Sequence, residues 1–251
     1  MDFTVKKYKE LLEALLEQKY SFQTFDDYLK DPNDRVVMLR HDVDDLPSHS
    51  LRFAKIQHNL GIQGVYYFRA VPQSWNEKII KKIASLGHEV GYHYETMDTA
   101  DGNLVKAWDQ FKQHLEALRK LVPVSTICMH GSPRSKFDNK ELWMKYGYKA
   151  LDLIGEPYYD IDFDKVLYLT DTGRRWDGHK VSVRDKVKSK YDHSFHSTDD
   201  IISALNRSGL PDQIMFNFHP QRWHNNNWHW AEEYVIQNAK NMVKRIFFVS
   251  R

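Results

Sequence analysis

Four short segments concentrate the side chains that could do chemistry. They are Arg40-His41-Asp42-Val43-Asp44-Asp45, His88-Glu89-Val90-Gly91-Tyr92-His93-Tyr94-Glu95, Met129-His130-Gly131-Ser132-Pro133 and Phe216-Asn217-Phe218-His219-Pro220. Each lies at the end of an apolar, β-rich run. Side chains alternate along a strand, so Asp42 and Asp44 share a side, as do His93 and Glu95. Two carboxylates that close repel each other unless a cation sits between them or one takes a proton. A divalent cation resolves the repulsion, and an Asp with one or more His is the mixed oxygen and nitrogen set of zinc or a similar metal. The chemistry indicated is metal-assisted hydrolysis. The plainer reading of the acidic segment is a solvated turn capping a helix that begins near Pro47. It suits Asp45 better than Asp42 and Asp44, which directly follow an apolar strand.

The elements that must position these groups alternate between strand and helix. Strand candidates are Val36–Arg40, Gly64–Arg69, Glu89–His93, Ser125–His130, Ala150–Ile154, Val166–Thr170 and Gln213–His219. Helical patterns fall between and around them: Ser74–Leu86, with Ser74 and Glu77 at capping-box spacing and Gly87 as its stop, Asn103–Val122, Asp199–Arg207 and Trp228–Lys244. Such alternation predicts parallel strands with helical crossovers, and such folds place active sites at the C-terminal ends of their strands. A doubly wound sheet and an incomplete barrel both fit the count. A further helix over about 3–18 carries Phe3, Tyr8, Leu11, Leu12, Leu15 and Leu16 on one face, which is expected to pack on the domain. The polar stretch Asp171–Ser197 reads as a hairpin insertion or an ordered loop near the site.

No linker or repeat divides the 251 residues, so one domain over 1–251 is expected. Basic residues are scattered, with a short run only at Lys186–Lys190, and this excludes a nucleic-acid stripe. No apolar run is long enough to span a membrane. A single cysteine, Cys128, excludes an intrachain disulfide. The first residues lack an apolar export region, and the expected address is cytoplasmic. Aromatic content is 14%, which suits core filling first and sugar contact second. The patch of Trp223, His224, Asn225-Asn226-Asn227 and His229 is a candidate sugar contact, with a loop entering the last helix as the plainer reading. His88 reads as a turn or packing residue.

In order and content, these segments resemble the strand-end motifs of the polysaccharide deacetylases with a NodB-homology domain, the family 4 carbohydrate esterases. Gly87-His88-Glu89-Val90-Gly91-Tyr92-His93 is similar to the family's Gly-His-Glu-Val-Gly segment, and the likeness runs over about 36–220. The resemblance implies a distorted (β/α)7 barrel. It implies Asp42 as the base that takes a proton from the attacking water, Asp44 and His93 as metal ligands, and His219 as the general acid. Where the family has a second metal His, four residues after the first, this chain has Met97, a poor ligand. His130, ending a neighbouring strand, is the preferred third ligand, with Glu95 and Asp98 as alternatives. The family's arginine-bearing motif is replaced by Met129–Arg134, and Arg134 is a candidate to hold a carboxylate or substrate, as Trp223 is for substrate.

The expected function is a metal-dependent deacetylase acting on an N-acetylated amino sugar or a sugar-containing precursor. The expected cofactor is zinc, with nickel, cobalt or manganese as alternatives. Rival readings are hydrolysis of another non-peptide carbon–nitrogen bond, and a catalytically impaired carbohydrate-binding protein. The expected partner is a carbohydrate or small molecule, and the oligomeric state is left open.

Overall fold

The run Val36-Val37-Met38-Leu39 continues without a break into the acidic segment, and all eight residues of the resulting strand are buried. The computed structural model describes residues 1–132, 135–176 and 187–244. In chain order its helices and strands are α1 (Val5–Glu17), β1 (Ser21–Gln23), α2 (Phe25–Lys30), β2 (Val36–Val43), α3 (Pro47–Asn59), β3 (Val65–Phe68), α4 (Glu77–Ser85), β4 (Glu89–Tyr94), α5 (Thr96–Thr99), α6 (Leu104–Arg119), β5 (Ile127–Met129), α7 (Pro157–Asp160), β6 (Leu167–Thr170), α8 (Thr198–Asn206), β7 (Gln213–Phe218) and α9 (Asn227–Lys244). Every strand pairing is parallel. Among the described residues no helix is long and apolar enough to cross a membrane.

Strand order decides between the two architectures the sequence allows. The sheet runs β5-β4-β3-β2-β7-β6, with β1 beside β2. A doubly wound sheet starts near its centre and winds outward in both directions. In this chain the second half starts at the edge with β6 and returns inward through β7 to β2. That is the cyclic order of a barrel opened between β5 and β6, so the sheet is a curled half-barrel with helices between its strands. In the opening, a single bridge pairs Thr126 with Gly155. The expected strand Ala150–Ile154 is reduced to this bridge, because a helical turn takes Tyr148–Leu151 and ends at Asp152 in the left-handed region (φ 56°). Gly155 lies tight against α2, where a Cβ would come within 2.2 Å of Leu29 and 3.0 Å of Phe25.

Alternation along the strands sorts side chains into two apolar regions. Val37, Leu39 and Val43 join the large cluster under the helices, whereas Met38 joins Phe25, Val65, Tyr67, Cys128 and Met215 in a smaller one inside the barrel. Arg40 and Asp42 continue the Met38 row, so they point into the barrel near its C-terminal mouth. Gly91 faces the same interior, where the Tyr67 ring lies across it. A Cβ at Gly91 would meet that ring at 2.3 Å and the Thr126 carbonyl at 2.8 Å.

The outer side is closed in part by α1. The Tyr8 ring stacks on Phe53 at 3.7 Å. Its hydroxyl donates to His41 Nε2 (3.2 Å) and accepts from Gln57 Nε2 (2.5 Å). His41 Nδ1–H donates to the Val65 carbonyl (2.9 Å). Burial pushes His41 down to about 3, so this imidazole is a neutral packing group that faces away from Asp42. His88 is likewise internal to the packing: its Nε2–H donates to Ala54 (2.8 Å), and its Nδ1 accepts from Gly64 (3.3 Å).

Two local expectations are corrected. Ser74 does not cap α4; Asn76 does, accepting from the Ile79 N–H. Ser74 is fully buried, and its hydroxyl donates instead to the Val43 carbonyl and accepts from the Arg69 N–H. It therefore anchors the end of β2. Asp45 does not cap α3 with its side chain; it accepts from the adjacent Leu46 N–H (2.7 Å).

Glu89 carries a stability prediction. Its carboxylate accepts from the Asp26 N–H (2.9 Å) and the Thr126 hydroxyl, and burial pushes it from about 4.5 up to about 7. Between those values the folded state binds a proton that the unfolded state does not, so this group's contribution falls as pH rises from 4.5 to 7. Gln at this position keeps an acceptor for Asp26 and gains a donor for Thr126. Relative to wild type, Glu89→Gln should gain stability across that interval. Part of the residue reaches solvent, so the expected gain is about 1–2 kcal/mol. Urea unfolding at pH 4.5 and pH 7.5 reads the difference directly. The comparison must be between the two proteins, because His41 acts with the opposite sign. A difference that does not change with pH would count against this reading.

Candidate metal centre

The strand ends bring Asp44, His93 and His130 together at the C-terminal mouth of the half-barrel. One ligand atom from each lies within 4.8 Å of the other two. Asp44 Oδ1 is 3.6 Å from His93 Nε2 and 3.5 Å from His130 Nε2. It is buried and has no hydrogen-bond partner. The parallel register of β4 and β5 sets His93 beside Cys128, and His93 Nδ1–H donates to the Cys128 carbonyl (2.9 Å). That bond leaves the Nε2 lone pair aimed at Asp44, the tautomer a metal ligand needs. His130 Nδ1 is 3.1 Å from Glu95 Oε2. Glu95 is gripped by Arg69 through Nε (3.1 Å) and Nη2 (2.7 Å), and Arg69 Nη1 donates to the Asp44 carbonyl (3.2 Å).

The donor set fits a divalent cation. Nitrogen lone pairs and a carboxylate oxygen without a donor converge on one small space, an arrangement that only a proton or a cation makes favourable. Burial would raise Asp44, but the neighbouring His93, His130 and His219 outweigh it and hold the carboxyl well below its usual range. Burial would also raise Glu95, but His130 and Arg69 hold it at about 2. Asp44, His93 and His130 are the residues that would hold the ion.

Asp42 and His219 flank this centre. Asp42 Oδ2 is 3.7 Å from His93 Nε2. Asp42 is bound in a fork by Arg40, from Nε to Oδ1 at 2.8 Å and from Nη2 to Oδ2 at 2.6 Å, and Asn217 Nδ2 donates to Oδ2 at 3.2 Å. Burial would raise Asp42, but the Arg40 guanidinium outweighs it and the carboxyl lies below its ordinary value. On the other flank, His219 Nε2 is 3.9 Å from Asp44 Oδ2. Its Nδ1–H donates to Asp171 Oδ1 (2.6 Å), and its own N–H donates to the same carboxylate. Asp171 is fully buried and also accepts from Trp223 Nε1 (2.6 Å). Gln221 Nε2 donates to Asp44 Oδ2 (3.2 Å).

Other expected site residues fall elsewhere. Met97 is buried in the outer core, with its N–H donating to Asn139 Oδ1. Asp98 lies near Glu95 and His130, but it accepts from the Ser135 hydroxyl and from Asn139 Nδ2 (3.2 Å). Trp223 is a correction: it is fully buried in the outer core, so it offers no face to a sugar. Its indole supports Asp171 instead. Arg134 lies outside the described residues. Sequence reasoning assigned no role to Arg40, Arg69, Asp171 and Asn217. For Asp171 there was a usable signal, since it directly follows the apolar strand β6 at the same sheet edge as the other site residues.

No family model and no curated protein matches this chain. Among solved structures it is similar to a CE4 family pseudoenzyme from Bacillus anthracis, at 14% identity over 85% of this chain and 62% of that one, with a TM-score of 0.47. It is also similar to a CE4 esterase from Streptococcus mutans, at 12% identity over 88% and 86% of the two chains (TM-score 0.45). A third is the peptidoglycan deacetylase PdaC from Bacillus subtilis, at 12% identity over 86% and 99% (TM-score 0.41). The chain spans less than two thirds of the first of these.

Proposed function

We propose that this chain is a metal-dependent hydrolase that removes an N-acetyl group from an amino sugar or a sugar-containing precursor. The observation that carries the reading is the partnerless Asp44 Oδ1 facing two imidazole nitrogens, with one buried carboxylate–arginine pair and one histidine–carboxylate pair on either flank. A divalent cation held by Asp44, His93 and His130 would supply Lewis acidity to the acetyl carbonyl and lower the pKa of water. Two nitrogens and one oxygen suit zinc first.

The chain's own residues divide the proton work. Asp42, kept ionised by Arg40, takes the proton of the attacking water. Arg40 and Asn217 hold that carboxylate in one orientation. His219 delivers a proton from Nε2 to the departing nitrogen, which is a poor leaving group as an anion. Asp171 fixes the tautomer and stabilises the imidazolium. Arg69 and Glu95 orient His130, in the manner of outer groups around metal-ligating histidines. With His130 converging on Asp44 and His93, Met97 does not leave the set one ligand short.

The test joins metal content to product. Protein purified without chelator is expected to contain about one zinc per chain and to release acetate from N-acetylated amino sugars. Stripping with chelator should abolish release, and adding zinc back should restore it. Metal-free protein, or acetate release that survives stripping, would overturn the proposal.

A further inference from the structure

Two guanidiniums of this chain hold carboxylates through the same edge, the fork of Nε and Nη2. Arg40 grips Asp42 with it, and Arg69 grips Glu95. Arg174 has that edge buried too, yet neither its Nε nor its Nη2 has a hydrogen-bond partner. The residue is 7% exposed. Its third nitrogen, Nη1, donates to the Trp230 carbonyl (3.0 Å). The guanidinium carbon lies 4.8 Å from the Trp230 ring centre, and 5.6 and 5.8 Å from those of Phe3 and Tyr234. Three aromatic rings and one carbonyl therefore fix the group and leave the fork uncommitted. Burial holds the guanidinium below its ordinary value, against the pull of Glu233 and Asp2. The Asp2 carboxylate is committed to the Phe3 and Thr198 N–H groups (2.7 and 2.9 Å). A buried cation with unmet donors is costly until an anion completes it.

A second unpartnered group lies within electrostatic reach. His224 Nε2 is buried and has no hydrogen-bond partner. Its ring centre is 5.3 Å from that of His49 and 6.3 Å from that of the exposed His229. His49 Nδ1–H donates to the Pro220 carbonyl (3.3 Å), which seats the group against the turn that follows His219. Burial pushes His224 down to about 4, and His49, Arg174, His229 and Arg52 push the same way. Those four neighbours are all basic. We propose that Arg174 and His224 form a binding site for a phosphate group, built from residues distinct from the metal ligands. The fork of Arg174 takes two phosphate oxygens, as the forks of Arg40 and Arg69 take the two oxygens of a carboxylate. His224 Nε2, as the N–H tautomer, donates to a third. A carboxylate has no third oxygen for His224, and it brings one negative charge where phosphate brings up to two to a basic surround.

Titration calorimetry on the full chain tests the site with inorganic phosphate as the probe. About one phosphate is expected to bind per chain, with acetate at least about tenfold weaker. Arg174→Lys keeps the charge and loses the fork, so it should weaken phosphate at least about tenfold. His224→Leu removes the third donor and should weaken it as well, which keeps the site testable if the Arg174 variant does not fold. Asp44→Asn removes a proposed metal ligand and should leave phosphate binding unchanged, so failure of this site and failure of the metal reading are told apart. N-acetylglucosamine-1-phosphate separates the sources of the group. Tighter binding than inorganic phosphate places the phosphate on the substrate, and equal or weaker binding makes it a free ion; both support the site. Wild-type protein that binds no phosphate, acetate that binds as well as phosphate, binding that survives both Arg174→Lys and His224→Leu, or binding lost in Asp44→Asn would each overturn the proposal.

Discussion

Asp44→Asn is expected to lose bound metal and to lower acetate release at least about a thousandfold, because water without the ion returns from a pKa near 7 towards 15.7. The substitution is close in size. It replaces a partnerless carboxylate oxygen with an amide that can donate towards His93 Nε2 or His130 Nε2, 3.6 and 3.5 Å away. The metal-free protein should therefore still fold. The distinguishing readout is thermal. Wild type should melt higher with saturating zinc, because a ligand that binds only the folded state stabilises it by mass action. Asp44→Asn should show no such rise, and its metal-free form should melt below metal-free wild type, because the neighbouring histidines stabilise the carboxylate and not the amide. A variant that still binds zinc one to one and keeps wild-type turnover would remove Asp44 from the metal set, and with it the proposed reaction.

Arg40→Met is expected to be the most destabilising single change at the site, by about 3–5 kcal/mol at pH 8. Arg40 and Asp42 are 1% and 3% exposed, and the guanidinium meets the carboxylate in two parallel bonds. Removing the cation leaves a buried carboxylate with Asn217 as its remaining donor. The effect should depend on pH. In wild type the folded-state value of Asp42 lies below the ordinary value near 3.8, so its contribution is present above 3.8 and is lost as pH falls through the depressed value. In the variant, only His93 and His219 still oppose burial, and the folded-state value is expected to rise above the unfolded one. The variant then loses stability as pH climbs above about 4. The gap between the two proteins should be small near pH 4 and widest at pH 8, by urea unfolding. Adding Asp42→Asn to Arg40→Met should recover most of the loss, because the unpaired charge is gone. A gap that is constant with pH would mean that lost packing, not the stranded carboxylate, explains the defect.

The fold was legible because periodicity is local. The apolar runs at β2, β3, β4, β6 and β7 stand out on their own, and Asn103 caps its helix as its residue type suggests. The fifth run failed for a reason outside itself. Ala150–Ile154 has strand-like composition, but the space there is closed by Leu29 and Phe25 of α2, leaving room for one glycine bridge. Ser74 failed in a similar way. Its spacing to Glu77 suits a cap, yet the free carbonyl at the end of β2 takes its hydroxyl.

The sequence by itself determined that Asp42, Asp44, His93, His130 and His219 end apolar strands, and alternation put Asp42 and Asp44 on one side of theirs. Local rules reach that far, since they follow from backbone geometry within a few residues. Tertiary structure decided which ends meet. Only the curling of the sheet sets Asp44 against His130, 86 residues further along the chain, and only the return of the chain through β6 and β7 lays Asp171 under His219. It also separated the two tryptophan readings, sinking Trp223 into the core and leaving Trp228 in water. Burial and partnership depend on which surfaces the whole chain covers, and no stretch of sequence carries that information alone.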